Sequence, residues 1–167
     1  MVVAAHSYGT ILAAHLHRMP LLAARMAGTL FIDPIPFLLH HPCVAYSFIY
    51  RAPRTTNEWQ VWYFASRDPD TARTLSRHFF WQENILWKED IEGRRVTISL
   101  AGRDQIIGAQ EVWKYLTGEE ILGKWKKDKL EMLFFPDLDH AAVFDTTTRR
   151  KPLLEVVRRC VRDEVAV

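Results

Sequence analysis

Met1-Val2-Val3-Ala4-Ala5-His6-Ser7-Tyr8-Gly9, running on into Thr10-Ile11-Leu12-Ala13-Ala14-His15-Leu16-His17-Arg18-Met19, is the stretch on which the fold reading turns. A short apolar run passes at once into apolar residues at helical spacing, and Pro20 ends them. A run of that kind reads as a strand buried on both faces, and such strands occupy the interior of a parallel sheet. Nothing before it can pair with it or cover it, so the chain is expected to be the C-terminal part of a larger domain.

The same rhythm continues outward. Residues 27–32 form a compact apolar run that stops at Asp33-Pro34-Ile35-Pro36, whose prolines forbid continued regular structure. Residues 96–101 read as a strong strand, followed by Gly102-Arg103-Asp104. A helix is expected over 109–116, closed by Gly118, then a charged connector over 119–129 with a helical turn. Residues 130–135 read as a further strand ended by Pro136. A last helix is expected over 148–165, with Pro152 in its first turn. Strands alternating with helices imply parallel βαβ units. The interval 36–90 breaks that rhythm and is too long for a loop. It is rich in aromatic residues and Arg, has helical patches at 57–66 and 70–87, and reads as an inserted helical cap.

Composition narrows the function classes. The 167 residues are 49% hydrophobic and 25% charged, as a globular domain requires and a disordered chain does not. The formal net charge of +2 provides no basic field, so nucleic acid is not expected as a partner. Cys43 and Cys160 form no disulfide framework or metal-spaced pair, which favours a reducing compartment. No signal peptide and no apolar run of transmembrane length is visible; anchoring by a preceding segment stays open.

Ala5-His6-Ser7-Tyr8-Gly9 is an A-x-S-x-G form of the nucleophile elbow, a sharp strand-to-helix turn that exposes its serine. Small outer residues are expected so that the turn avoids a backbone clash, and the helix N-terminus favours a developing oxyanion. A serine needs a base, and the base needs an orienting acid. His140 follows the strand at 130–135 and Asp104 follows the strand at 96–101, so both share with Ser7 the C-terminal edge of a parallel sheet.

The motifs Val2-Val3-Ala4-Ala5-His6-Ser7-Tyr8-Gly9, Leu100-Ala101-Gly102-Arg103-Asp104 and Asp137-Leu138-Asp139-His140 resemble the C-terminal half of an α/β-hydrolase fold protein. The resemblance covers nearly the whole chain. It implies an α/β fold class, a partial α/β-hydrolase fold of about four parallel strands with flanking helices and a helical cap at about 36–90. It implies a serine hydrolase of carboxylic esters or related acyl compounds, with Ser7 as nucleophile, Asp104 as acid, His140 as base and the Tyr8 backbone N–H as oxyanion donor. No cofactor and no metal are implied. The substrate expected is a small acyl compound, hydrophobic if the cap aromatics roof it. The first four strands of the family fold are missing, and with them an early loop that supplies a second oxyanion N–H.

Alternatives stay in view. Asp33 also ends a strand and is the rival acid. Asp137 and Asp139 are expected to shape the histidine loop, and His6 to pack. The aromatics Trp59, Trp62, Tyr63, Phe64, Phe79, Phe80, Trp81 and Trp87 read first as the core of the cap itself. His15/His17 and His40/His41 lack further metal ligands. His140 and Asp145 also match the H-x4-D spacing of glycerolipid acyltransferases. The competing functions are thus a non-catalytic remnant or partner-binding module, and an acyltransferase.

Overall fold

The computed structural model describes residues 1–165. Four strands are parallel: β1 (Val2–His6), β2 (Gly28–Ile32), β3 (Val96–Ala101) and β5 (Leu130–Phe135). A fifth, β4 (Lys124–Lys127), runs antiparallel to β5, and the sheet order is β1-β2-β3-β5-β4. The four parallel strands agree with the expected count of about four, whereas the antiparallel β4 was not expected and replaces the helical turn expected at 119–129. The sequence Lys124-Trp125-Lys126-Lys127 hides a strand because it is an edge: its lysines stay exposed, as edges that must resist further pairing do. Only Trp125 packs against the core, and Asp128 at φ +52 turns the chain back.

Alternation along the parallel strands feeds two cores. Phe31, Ile98, Leu100 and Met132 face α1 (Gly9–Arg18), through Ile11 and Ala14, and α7 (Ala109–Thr117), through Val112, Trp113 and Leu116. Leu30, Ile32, Ala101 and Leu133 face α8 (Thr147–Val165), through Leu153, Val156 and Cys160. The result is a helix–sheet–helix layering. Gly28 permits it, since a Cβ there would lie 2.6 Å from Cys160 Sγ. Gly118 closes α7 at φ +76, as expected. Pro152 is the sixth residue of α8, in its second turn and not in the first as expected. Among the described residues no helix is long and apolar enough to cross a membrane.

Two features depart from the sequence pattern. β1 lies at the sheet edge with its residues half-exposed, although its composition suits an interior strand. Residues 36–90 form a chain of short pieces: α2 (Pro20–Ala23) precedes them, then come α3 (Cys43–Ala45), a π-turn at Tyr46–Tyr50, α4 (Thr56–Val61), a second π-turn at Trp62–Ser66, α5 (Pro69–Arg77) and α6 (Trp81–Asn84). The helix expected over 70–87 breaks at His78–Phe80. The aromatics do not build a closed core of their own. Trp59, Tyr63, Phe64, Phe80, Trp81 and Trp87 are exposed, while Ile85 and Leu86 join the main core.

Candidate active site

Ser7 occupies the turn between β1 and α1 at φ +50, a left-handed conformation that is uncommon for a residue with a Cβ. Backbone bonds hold it there. Its N–H donates to the Ile32 carbonyl at 3.0 Å, and its carbonyl accepts from the Thr10 N–H at 2.9 Å and from the Thr10 hydroxyl. Thr10 Oγ1 in turn accepts from the Ile35 N–H at 3.0 Å, tying the elbow to the loop after β2. The steric reason expected for Gly9 is not met: a Cβ there would find nothing within 4 Å. The space beside that position is open among the described residues.

Asp104 follows β3 with a fully buried side chain. Its Oδ1 accepts from the N–H groups of Ile106 and Ile107 at 2.7 and 3.1 Å, which leaves Oδ2 aimed outward from its own turn. Gly102 brings this loop against the next one, since a Cβ there would lie 2.7 Å from the Pro136 carbonyl oxygen. His140 follows β5 and its side chain is 7% exposed. Its Nδ1 lies 2.7 Å from Asp104 Oδ2 and its Nε2 lies 2.8 Å from Ser7 Oγ. An ionised carboxylate only accepts, so Nδ1–H donates to it and Nε2 accepts from the serine hydroxyl. Burial by itself favours the neutral ring. The bond to Asp104, that carboxylate's charge and the charge of Asp33 together outweigh it, and hold the imidazole above the ordinary 6.5.

Asp33 has a different set of contacts. It is 1% exposed, sits at φ +46, and its two oxygens accept from the N–H of Ala101 at 3.1 Å and of Ala141 at 2.9 Å. It therefore pins the end of β3 and the residue after His140, which itself sits at φ +65. The His6 ring lies 5.1 Å from that of His140, with Nε2 3.7 Å from Asp33 Oδ2. Asp33, Asp104 and His140 bring ligand atoms within 4.8 Å of one another. Each of their oxygens and ring nitrogens already has a hydrogen-bond partner, so the cluster is accounted for without an ion.

The backbone N–H of Tyr8 finds no acceptor among the described residues and lies at the head of α1. The Tyr8 ring is half exposed, 6.3 Å from that of Phe79. Asp137 pairs with Arg103, and Asp139 accepts from Asn57 Nδ2. Asp145 pairs with Arg149 on the surface and takes no part with His140. Thr10 and Gln105, whose Oε1 accepts from the His140 N–H at 3.1 Å, were not read from the sequence, because a polar residue bonding a distant backbone leaves no spacing signal. A cavity of about 720 Å³ lies at the opposite edge of the sheet, lined by Thr29, Arg94, Lys129 and Arg159 among others, remote from Ser7.

No family model matches the sequence, and no curated protein does. One solved structure resembles it: the esterase rPPE, crystallised as a mutant in complex with (S)-Ac-CPA, at a TM-score of 0.50 and 10% identity. The match takes in 93% of this chain and 48% of that one, so the chain spans about half the length of the esterase. The fold is an esterase-like α/β fold. At this identity the likeness concerns architecture alone.

Proposed function

We propose that the chain is the C-terminal part of an α/β-hydrolase domain, inserted cap included, and carries the reacting groups of a serine hydrolase for carboxylic esters or related acyl compounds. The observation that carries this reading is the continuous bond series Ser7 Oγ, His140 and Asp104, at 2.8 and 2.7 Å, on a serine held at φ +50. Ser7 attacks the carbonyl carbon while His140 Nε2 takes its proton. The imidazolium formed is stabilised by Asp104 and returns the proton to the leaving group. The tetrahedral oxyanion forms beside the Tyr8 N–H and the positive end of α1. Water then releases the acyl group by the same proton relay in reverse. Asp104 is the acid in this reading, and Asp33 holds the histidine loop, because only Asp104 bonds the His140 ring.

The free edge of β1 supports the missing half. Its outer side has no strand partner among the described residues, and the helices α1 and α8 that flank it keep Leu12, Leu154 and Val161 exposed. A strand from outside this chain would pair there and bring the second oxyanion donor. Absence of one such donor costs about 10²–10³ in rate, so residues 1–167 alone are expected to be feeble. The test is labelling by a serine-directed fluorophosphonate. The product of the complete gene should label, Ser7→Ala should not, and the isolated chain should label far more slowly. Undiminished labelling of Ser7→Ala removes the nucleophile assignment.

A further inference from the structure

We propose that Gln105 is a positioning residue that links the 36–90 segment to the base His140. The proposal rests on the triad reading above. Gln105 follows Asp104 directly and is 8% exposed. Its backbone carbonyl accepts from Arg51 Nη2 at 2.5 Å. Its side-chain Oε1 accepts from the His140 N–H at 3.1 Å. One residue thus accepts a bond from the aromatic-rich segment and another from the histidine loop.

The Arg51 end is itself fixed. Its guanidinium also pairs with Glu58 at 3.1 Å. The same carboxylate accepts the N–H groups of Arg54 and Thr55 and caps α4. Those N–H groups, that of Arg54 foremost, hold the Glu58 carboxyl below its ordinary range, so it stays charged. A second strap runs from Asn57 to Asp139, the neighbour of His140. The helix α4 therefore grips both loops that bear the imidazole and its acid partner. His140 must stay within hydrogen-bond reach of Ser7 Oγ, and an error of about 1 Å at such a contact can cost two orders of magnitude. A shift of α4 moves the Gln105 peptide through Arg51, and Gln105 hands that shift to the His140 backbone.

The experiment is a double-mutant cycle in the product of the complete gene, with two readouts. One is the rate of fluorophosphonate labelling; the other is the NMR resonance of His140 Nδ1–H. Gln105→Met keeps the volume and removes the acceptor. It should slow labelling about two- to twelve-fold, the range of one lost hydrogen bond. Arg51→Ala should slow the wild type by a similar factor yet add nothing in the Gln105→Met background, because the connection is already cut. Gln105→Glu restores an acceptor, so it should recover the rate at high pH. Its charge should also move the acid limb of the profile upward. Both single variants should shift the Nδ1–H resonance. Wild-type labelling by Gln105→Met, or effects of Arg51→Ala that multiply independently, overturns the proposal. A wild type that fails to label while the resonance still responds to Arg51→Ala counts against the triad reading alone. A resonance that ignores both substitutions refutes the link.

Discussion

Asp104→Asn separates the contacts of the site more cleanly than any other single change. Asparagine matches aspartate in shape, so its side-chain oxygen can keep the bonds from the Ile106 and Ile107 N–H groups. An NH₂ donor then faces His140 Nδ1 where a carboxylate oxygen stood at 2.7 Å. Nδ1 must become the unprotonated nitrogen, Nε2 carries the proton, and Ser7 loses its acceptor. The corresponding change in a serine protease triad costs about 10⁴ in turnover, and a loss of that order is expected here. The pH dependence of stability follows from the same bonds. In the wild type the folded value of His140 is raised above 6.5. The stabilisation it contributes is complete below the unfolded value and is lost as pH rises through the folded one. Asp104→Asn keeps the burial that lowers the value and removes the bond and charge of Asp104 that raise it. The ring then titrates below 6.5, and the variant loses stability as pH falls through that region. A hydrogen bond to a charged group is worth about 1.5–3 kcal/mol, so the variant should be about 2 kcal/mol less stable near pH 6. For a domain of this size that is a fall in Tm of about 4–8 °C, narrowing toward pH 9. An NMR titration of the His140 ring and melting curves at both pH values measure it. A variant ring that still titrates above 6.5, or a stability gap that widens with pH, would refute the reasoning.

His17 is 3% exposed, with Nε2 3.1 Å from Thr29 Oγ1, and burial foremost, with the Arg94 charge, lowers its value to about 4. Its unfolded value is higher, so stability is full above 6.5 and falls by about 3 kcal/mol as pH drops toward 4; urea unfolding should show this in the wild type and a flatter profile in His17→Phe. Ser7→Gly should be more stable than Ser7→Ala by about 1 kcal/mol, because only glycine adopts φ +50 without a Cβ penalty; equal urea midpoints would show that the elbow stores no strain. If the exposed aromatics at 59–87 roof the substrate, octanoyl esters should react faster than acetyl esters, by at most about 0.8 kcal/mol for each added CH₂. Acetyl esters that react as fast or faster would leave those rings outside the site.

What could be read from the sequence follows from where each group sits. Ser7, Asp104 and His140 each stand just past an apolar strand, and a parallel sheet collects such positions on one edge, so their meeting was foreseeable. β4 was not, because an edge strand of lysines has the composition of a loop. The work of Asp33 was half visible. Its place after β2 marked it as an acid candidate, but only the structure shows its oxygens on Ala101 and Ala141. Thr10 and Gln105 bond backbone groups 25 and 35 residues away, and no periodicity announces such contacts. The break at His78–Phe80 was hidden by continuous helix-compatible residues.

Ser7 and His140, the nucleophile and base proposed above, lie 133 residues apart in the chain. Synthesis proceeds at about 5–20 residues per second, so roughly 7–27 s separate the appearance of Ser7 from that of His140. During that time the elbow can form against β2, but its hydroxyl has no proton acceptor. On the triad proposed above, the growing polypeptide gains its reactivity only once His140 has been made. On that proposal, a stop codon anywhere before residue 140 yields a protein that keeps Ser7 without the base that would activate it.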